Sequence, residues 1–182
     1  MLIIDIDSFL GYFEGTRRRT LNVAELIPED KIDWAPKEGK YTFGEIIRHV
    51  ASAERYIYVL GAIAGTWDYP GHGRELGADL RGALSYLRKM HSESLDLLSN
   101  LGYSDLQQDW HTPTGKVVKA WQFLRAMCEH EIYHSGELDF NLSLLGIATP
   151  PLFGISLEQL IASNRVNRHG SKKNDPHRRK LM

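Results

Sequence analysis

The longest helical stripe in this chain runs through the segment Lys119 to Leu145, where Phe123, Met127, His130, His134, Leu138, Asn141 and Leu145 recur at steps of three and four. Gly146 follows as a natural C-cap residue. A helix with one such face needs other elements to cover it, and three more helical segments are present. The first spans about Ser8 to Leu26, with Phe9, Phe13, Val23 and Ile27 near one stripe, and Pro28-Glu29-Asp30 ends it. The second begins at Thr42, where Thr42 and Glu45 make a capping-box pattern, and continues through Phe43, Ile46, Val50, Ala53, Ile57 and Leu60. The third begins near Asp79, a good N-cap, and carries Leu80, Leu84, Leu87, Leu95 and Leu98 toward Asn100.

This pattern predicts an all-α fold, a four-helix bundle with a long loop between helices 2 and 3. That loop opens at Gly65 and runs through Asp68-Tyr69-Pro70-Gly71-His72-Gly73; its length would permit a crossover connection. Asp109 to Val118 reads as a short hairpin or an irregular loop, and Leu157 to Val166 as a short final helix. The expected bundle domain covers residues 1–166. Residues 167–182 form a basic tail without a helical stripe, expected to be disordered and solvated.

Composition narrows the class. At 182 residues, 42% hydrophobic and 25% charged, the chain is an ordinary globular domain with room for a real core. A formal net charge of −1 gives no global pull toward nucleic acid or anionic lipid. No apolar run approaches the length of a membrane span, and the start, with Asp5 and Asp7 among its apolar residues, does not read as a secretion signal. The single cysteine, Cys128, excludes an internal disulfide and favours a reducing cytosol. Cys128 lies two residues before His130; on a helix those side chains point apart, so it is read as a small buried apolar residue.

Two histidines on the apolar stripe of one helix need an explanation, because a buried polar ring requires a partner. His130 and His134 are four residues apart and lie one above the other on one face, the spacing by which two imidazoles share a metal ion. His49, at the edge of the core face of the second helix, is a candidate third ligand if those helices pack side by side. Three neutral nitrogens would leave a fourth position open, as in catalytic rather than structural sites. His91 is a rival on the third helix. His72 and His111 could approach the bundle mouth, and His169 and His177 belong to the tail. Glu54, Glu131 and Glu137 are candidates to orient the ligand rings, although each also suits a solvated surface position. The segment His130-Glu131-x-x-His134 matches the zincin signature H-E-x-x-H. Its longer form fails, with Glu137 and Phe140 in the Gly and His places; a shorter form would use Glu131 as general base and Glu158 as a further ligand. No sheet is expected that could bind an extended peptide.

Several segments in order resemble one family. Trp34-Ala35-Pro36 precedes the second helix, Phe43 to Glu54 resembles the segment bearing a first His ligand, and His130-Glu131-Ile132-Tyr133-His134-Ser135-Gly136-Glu137-Leu138 resembles the segment bearing two more, followed by Leu145-Gly146. Over about Asp5 to Pro151 the chain resembles DinB/YfiT-like proteins, four-helix-bundle metalloenzymes. The resemblance implies that His49, His130 and His134 are the three ligands of one divalent metal ion, zinc or nickel. It also implies a homodimer. Characterised relatives include transferases that act with low-molecular-weight thiols such as bacillithiol or mycothiol, and a mycothiol-dependent isomerase.

The expected function is therefore that of a divalent-metal-dependent enzyme acting on a small molecule, a low-molecular-weight-thiol transferase. Three neutral ligands leave the ion its full charge, which lowers the pKa of a water or thiol at the open position. Trp67, Tyr69, Trp110 and His111 are candidate mouth residues. A metal-dependent hydrolase using the same triad, and a non-enzymatic bundle whose histidines are structural, remain open alternatives.

Overall fold

A computed structural model gives the fold and describes residues 3, 5–112, 114–151 and 154–163. The predicted tail at 167–182, with His169 and His177, lies outside the described residues. The chain divides into two compact units, residues 1–149 and 150–182. The first unit holds the bundle.

Helix α1 spans Ile6–Ala24, two residues earlier than its stripe suggests, because Asp5 rather than Ser8 caps it, accepting from the Ser8 N–H at 2.9 Å. Helix α2, Phe43–Ser52, starts at the predicted box: Thr42 Oγ1 accepts from the Glu45 N–H at 3.2 Å, and the Glu45 carboxylate accepts from the Thr42 N–H at 2.8 Å. The same rod then changes winding, with a π-helical stretch over Ala53–Val59 followed by α3, Leu60–Ala64. Gly65 ends it in the left-handed region with φ 64°. A π turn holds more residues than an α turn and shifts everything beyond it around the axis. The predicted stripe positions Ile57 and Leu60 are therefore only half-buried, whereas Val59 and Ala62 go to the core.

The predicted long loop follows, containing one short 3-10 turn, Arg74–Leu76. Helix α4, Leu80–Leu98, is capped by Asp79, whose Oδ1 accepts from the Gly82 N–H at 2.7 Å. A single turn, α5 (Tyr103–Leu106), leads to an antiparallel hairpin of β1 (Asp109–His111) and β2 (Val117–Lys119), with Trp110 opposite Val118. Helix α6, Ala120–Leu144, is the longest element.

Helix α1 packs on α6 and α4, and α2 packs on α4 and α6. The order around the bundle is thus α1, α6, α2, α4. Neighbours in sequence, α1 and α2, face each other across a diagonal, as do α4 and α6. The core consists of two apolar clusters. One holds Phe43, Ile46, Ile47, Leu84, Leu87 and Leu138; the other holds Phe9, Phe13, Leu98, Leu106, Leu124 and Met127. Between them lies a polar layer, Arg17 from α1, Glu54 from the π segment, Ser94 from α4 and Glu131 from α6, all buried, with His91 at its edge. In the second unit, residues 157–163 form the described part of the predicted final helix, started by a reciprocal pair of hydrogen bonds between Ser156 and Gln159.

Candidate metal centre

Because α2 and α6 are adjacent, His49 faces the two histidines of α6. One ligand nitrogen from each of His49, His130 and His134 can be chosen so that all lie within 4.8 Å of one another. His49 Nε2 and His130 Nε2 are 3.0 Å apart. Zinc–nitrogen bonds of roughly 2.0–2.1 Å in tetrahedral geometry place ligand nitrogens about 3.3 Å apart, within the range this cluster spans. The ring centroids of the three pairs lie 4.6 to 4.9 Å apart, all edge-on.

The protonation states suit the same use. Burial, reinforced by the neighbouring histidines, pushes His49 down to about 4 and His130 down to about 3. Both are neutral at physiological pH, the form with a free lone pair. Two of the rings have their second nitrogen engaged. His134 Nδ1 meets Glu137 Oε2 at 2.9 Å, one turn on along α6. His49 Nδ1 meets the Tyr69 hydroxyl at 2.7 Å. Burial pushes the Tyr69 phenol up to about 12, so it keeps its proton.

Of the three acids considered as orienting partners, only Glu137 takes that place. Glu54 and Glu131 are neither solvated nor at the histidines: both are buried against Arg17, and Glu54 also meets His91 Nδ1 at 3.1 Å. One step along a helix turns a side chain by about 100°, so Glu131 points to the core while His130 points to the cluster. That placement removes Glu131 as a zincin-type general base. His91 sits against Phe13 and Glu54, within the polar layer.

Among the expected mouth residues, Tyr69 reaches the cluster, and His72 joins it through Tyr69 at 2.9 Å. Trp110 instead packs on Gly65, where a Cβ would collide with its ring. Trp67 and His111 are exposed and make no hydrogen bond to the three histidines. Three further tyrosines surround the cluster: Tyr41 at 5.6 Å from the His49 ring, Tyr58 at 5.5 Å from His130 and Tyr133 at 5.0 Å from His134. Tyr133 was visible as a neighbour of His134 in sequence. Tyr58 lies within the π-helical stretch, whose altered winding carries no local sequence signal.

The sequence matches the model of the DinB superfamily over residues 12–138. The chain belongs to this family. Among curated proteins, none matches the sequence. A DinB-like protein from Bacillus subtilis has a similar structure, with TM-score 0.64 and 18% identity over 80% of this chain and 96% of that one. YfiT from Bacillus subtilis, described as a probable metal-dependent hydrolase with an unusual four-helix bundle topology, aligns with TM-score 0.55 and 17% identity, covering 76% and 87% of the two chains. A mycothiol-dependent maleylpyruvate isomerase aligns with TM-score 0.53 and 19% identity, covering 74% and 60%. At these identities the likeness is one of fold.

Proposed function

We propose that His49, His130 and His134 hold one divalent metal ion, zinc or nickel, and that this protein is an enzyme acting on a small molecule with that ion. The observation carrying the proposal is the convergence of three imidazole nitrogens within 4.8 Å on adjacent helices, with burial holding His49 and His130 neutral. A purely structural histidine cluster would not require three rings at the edge of the core with orienting partners on two of them. The ion's charge would acidify a thiol or a water at its open position.

The specific reaction we favour is transfer from a low-molecular-weight thiol to a small electrophile. Tyr41, Tyr58 and Tyr133 supply aromatic walls with hydroxyl groups, which suit an uncharged or aromatic substrate portion. A likeness in fold to a mycothiol-dependent enzyme supports the thiol. The second reading, a metal-dependent hydrolase, draws support from the likeness to YfiT. The metal-loaded protein is expected to accelerate conjugation of electrophiles with at least one biological thiol, and the His134→Ala variant is not. Turnover that is independent of any added thiol would favour the hydrolase, and none under either condition would contradict catalysis.

The protein acts as a homodimer in this reading. Tyr133, Phe140 and Leu144 are exposed along α6, an apolar stripe suited to a second copy. Sedimentation showing a monomer at micromolar concentration would refute that. A cytoplasmic location is supported by the lone buried thiol of Cys128 and by the absence, among the described residues, of any helix long and apolar enough to cross a membrane.

A further inference from the structure

The residue next to His49 fastens the loop that reaches back to His49. Arg48 is 1% exposed although it is charged, and among the described residues it makes no ion pair with a carboxylate. Its Nε donates to the His72 carbonyl at 2.8 Å and its Nη1 donates to the Gly77 carbonyl at 2.8 Å. Gly44, one turn earlier, leaves room for the guanidinium, since a Cβ there would collide with it. Residues 72 and 77 are thus pinned to α2. Tyr41 packs over the same place, 4.8 Å from the His72 ring and 5.6 Å from the His49 ring.

The pinned loop carries a hydrogen-bonded chain whose direction can be worked out. His49 Nε2 faces the other two histidines. For Nε2 to offer a lone pair, the ring's hydrogen must sit on Nδ1. Nδ1–H then donates to the Tyr69 oxygen, at 2.7 Å. The Tyr69 hydroxyl, having accepted there, donates its own hydrogen to His72 Nδ1, at 2.9 Å. His72 must in turn keep its hydrogen on Nε2. Reversing the chain would place a hydrogen on His49 Nε2 and remove it as a ligand. With hydrogens on both Nδ1 atoms the Tyr69 oxygen would accept twice and its own hydrogen would be left without a partner among these groups; with both on Nε2, one of the two short contacts would lack a hydrogen.

We propose that Tyr69 and His72 are positioning residues for the metal centre, a chain from His49 to Tyr69 to His72, with Arg48 as its anchor, that holds His49 in its ligating tautomer and orientation. This rests on the reading that His49 ligates a divalent ion. Partners of a ligand histidine's second nitrogen typically change metal affinity by about 10–100-fold when removed. The hydrogen bond of His72 toward this chain runs through Tyr69, although its ring also lies edge-on 5.8 Å from that of His49, so its tautomer-fixing contribution should vanish once the Tyr69 hydroxyl is gone.

The test is titration of the metal-free full-length protein with Co2+, read by visible absorption, for wild type, Tyr69→Phe, His72→Ala, His72→Asn, the double variant Tyr69→Phe/His72→Ala, and His49→Ala. Tyr69→Phe keeps the ring packing and should weaken Co2+ binding by about 10–100-fold, with altered visible bands and an unchanged melting temperature of the metal-free protein. His72→Ala should weaken binding by less. His72→Asn returns an acceptor near the Nδ1 position and should recover most of that loss. The double variant should bind no more weakly than Tyr69→Phe alone. Wild-type affinity and spectrum in Tyr69→Phe, or losses that multiply in the double variant, would overturn the chain while the loss in His49→Ala leaves the metal reading intact. No binding by wild type, or equal binding by His49→Ala, would overturn the three-histidine site and the chain with it.

Discussion

The polar layer through the core makes a sharp energetic prediction. Arg17 is 2% exposed and its Nη2 serves both Glu54 and Glu131, the latter at 2.9 Å. Counting Arg17 as positive and both carboxylates as negative leaves one excess negative charge. Burial raises Glu131 above the usual carboxylate range, while for Glu54 the opposing pull of Arg17 and His91 outweighs burial and lowers it. The layer therefore balances with Glu54 ionised against Arg17 and Glu131 holding a proton over a wider pH range than an ordinary glutamate. Replacing Arg17 by Met preserves the stem but strands two buried carboxyls, and breaking a buried pair in this way costs about 3–5 kcal/mol. For a chain of this size that corresponds to a fall in Tm of roughly 6–20 °C. Glu131→Gln keeps the Arg17–Glu54 pair and should change stability by less than about 1 kcal/mol. The sign with pH follows: a carboxyl with a raised folded pKa contributes stability that is full below its unfolded value of 4.5 and lost as pH rises through its folded value. The Arg17→Met deficit should therefore shrink as pH falls. Urea unfolding followed by far-ultraviolet circular dichroism at pH 7.5 and 5.5 measures all of this. An Arg17→Met loss below about 1 kcal/mol, or a Glu131→Gln loss equal to it, would refute the charge count.

Three further outcomes are expected. In the metal-free protein His49 and His130 sit at about 4 and about 3 rather than 6.5. Each thus contributes stability that is present above pH 6.5 and lost as pH falls toward its folded value, at up to about 1.4 kcal/mol per pH unit. His130→Asn should flatten the decline between pH 6 and 4, and an unchanged urea-midpoint slope would contradict this. Gly65→Ala must hold a left-handed φ of 64° and displace Trp110; thermal unfolding should show a loss of at least about 1–2 kcal/mol. Cys128 is buried, with burial pushing its thiol up to about 12. A disulfide reagent at pH 8 should label it only in denaturant, and rapid labelling of the native protein would be inconsistent with its packing.

Much of this architecture was legible because local signals and packing agree. Thr42 and Glu45 mark the start of α2, Asp79 the start of α4 and Gly65 a helix end. His130 and His134 stood out by spacing, while His49 was a candidate by its place on the second helix, with His91 as its rival until the family resemblance favoured His49. The π-helical stretch was hidden, since nothing in Ala53–Val59 departs from an ordinary helical composition. Arg17 was hidden differently. It stands in the run Arg17-Arg18-Arg19, which reads as a solvated face, and only the meeting of α1, α2 and α6 selects one of the three for the core. The Arg48–His72 and Tyr69–His49 contacts join a loop to a helix across about 20 residues, a link that helical periodicity cannot report.

The central claim is the three-histidine metal centre, and elemental analysis of the purified, untagged protein beside His134→Ala and His91→Ala tests it most directly. The account predicts about one zinc or nickel per chain in wild type and in His91→Ala, and loss of that metal in His134→Ala. No bound metal in wild type after incubation with divalent ions, or equal metal in wild type and His134→Ala, would contradict it.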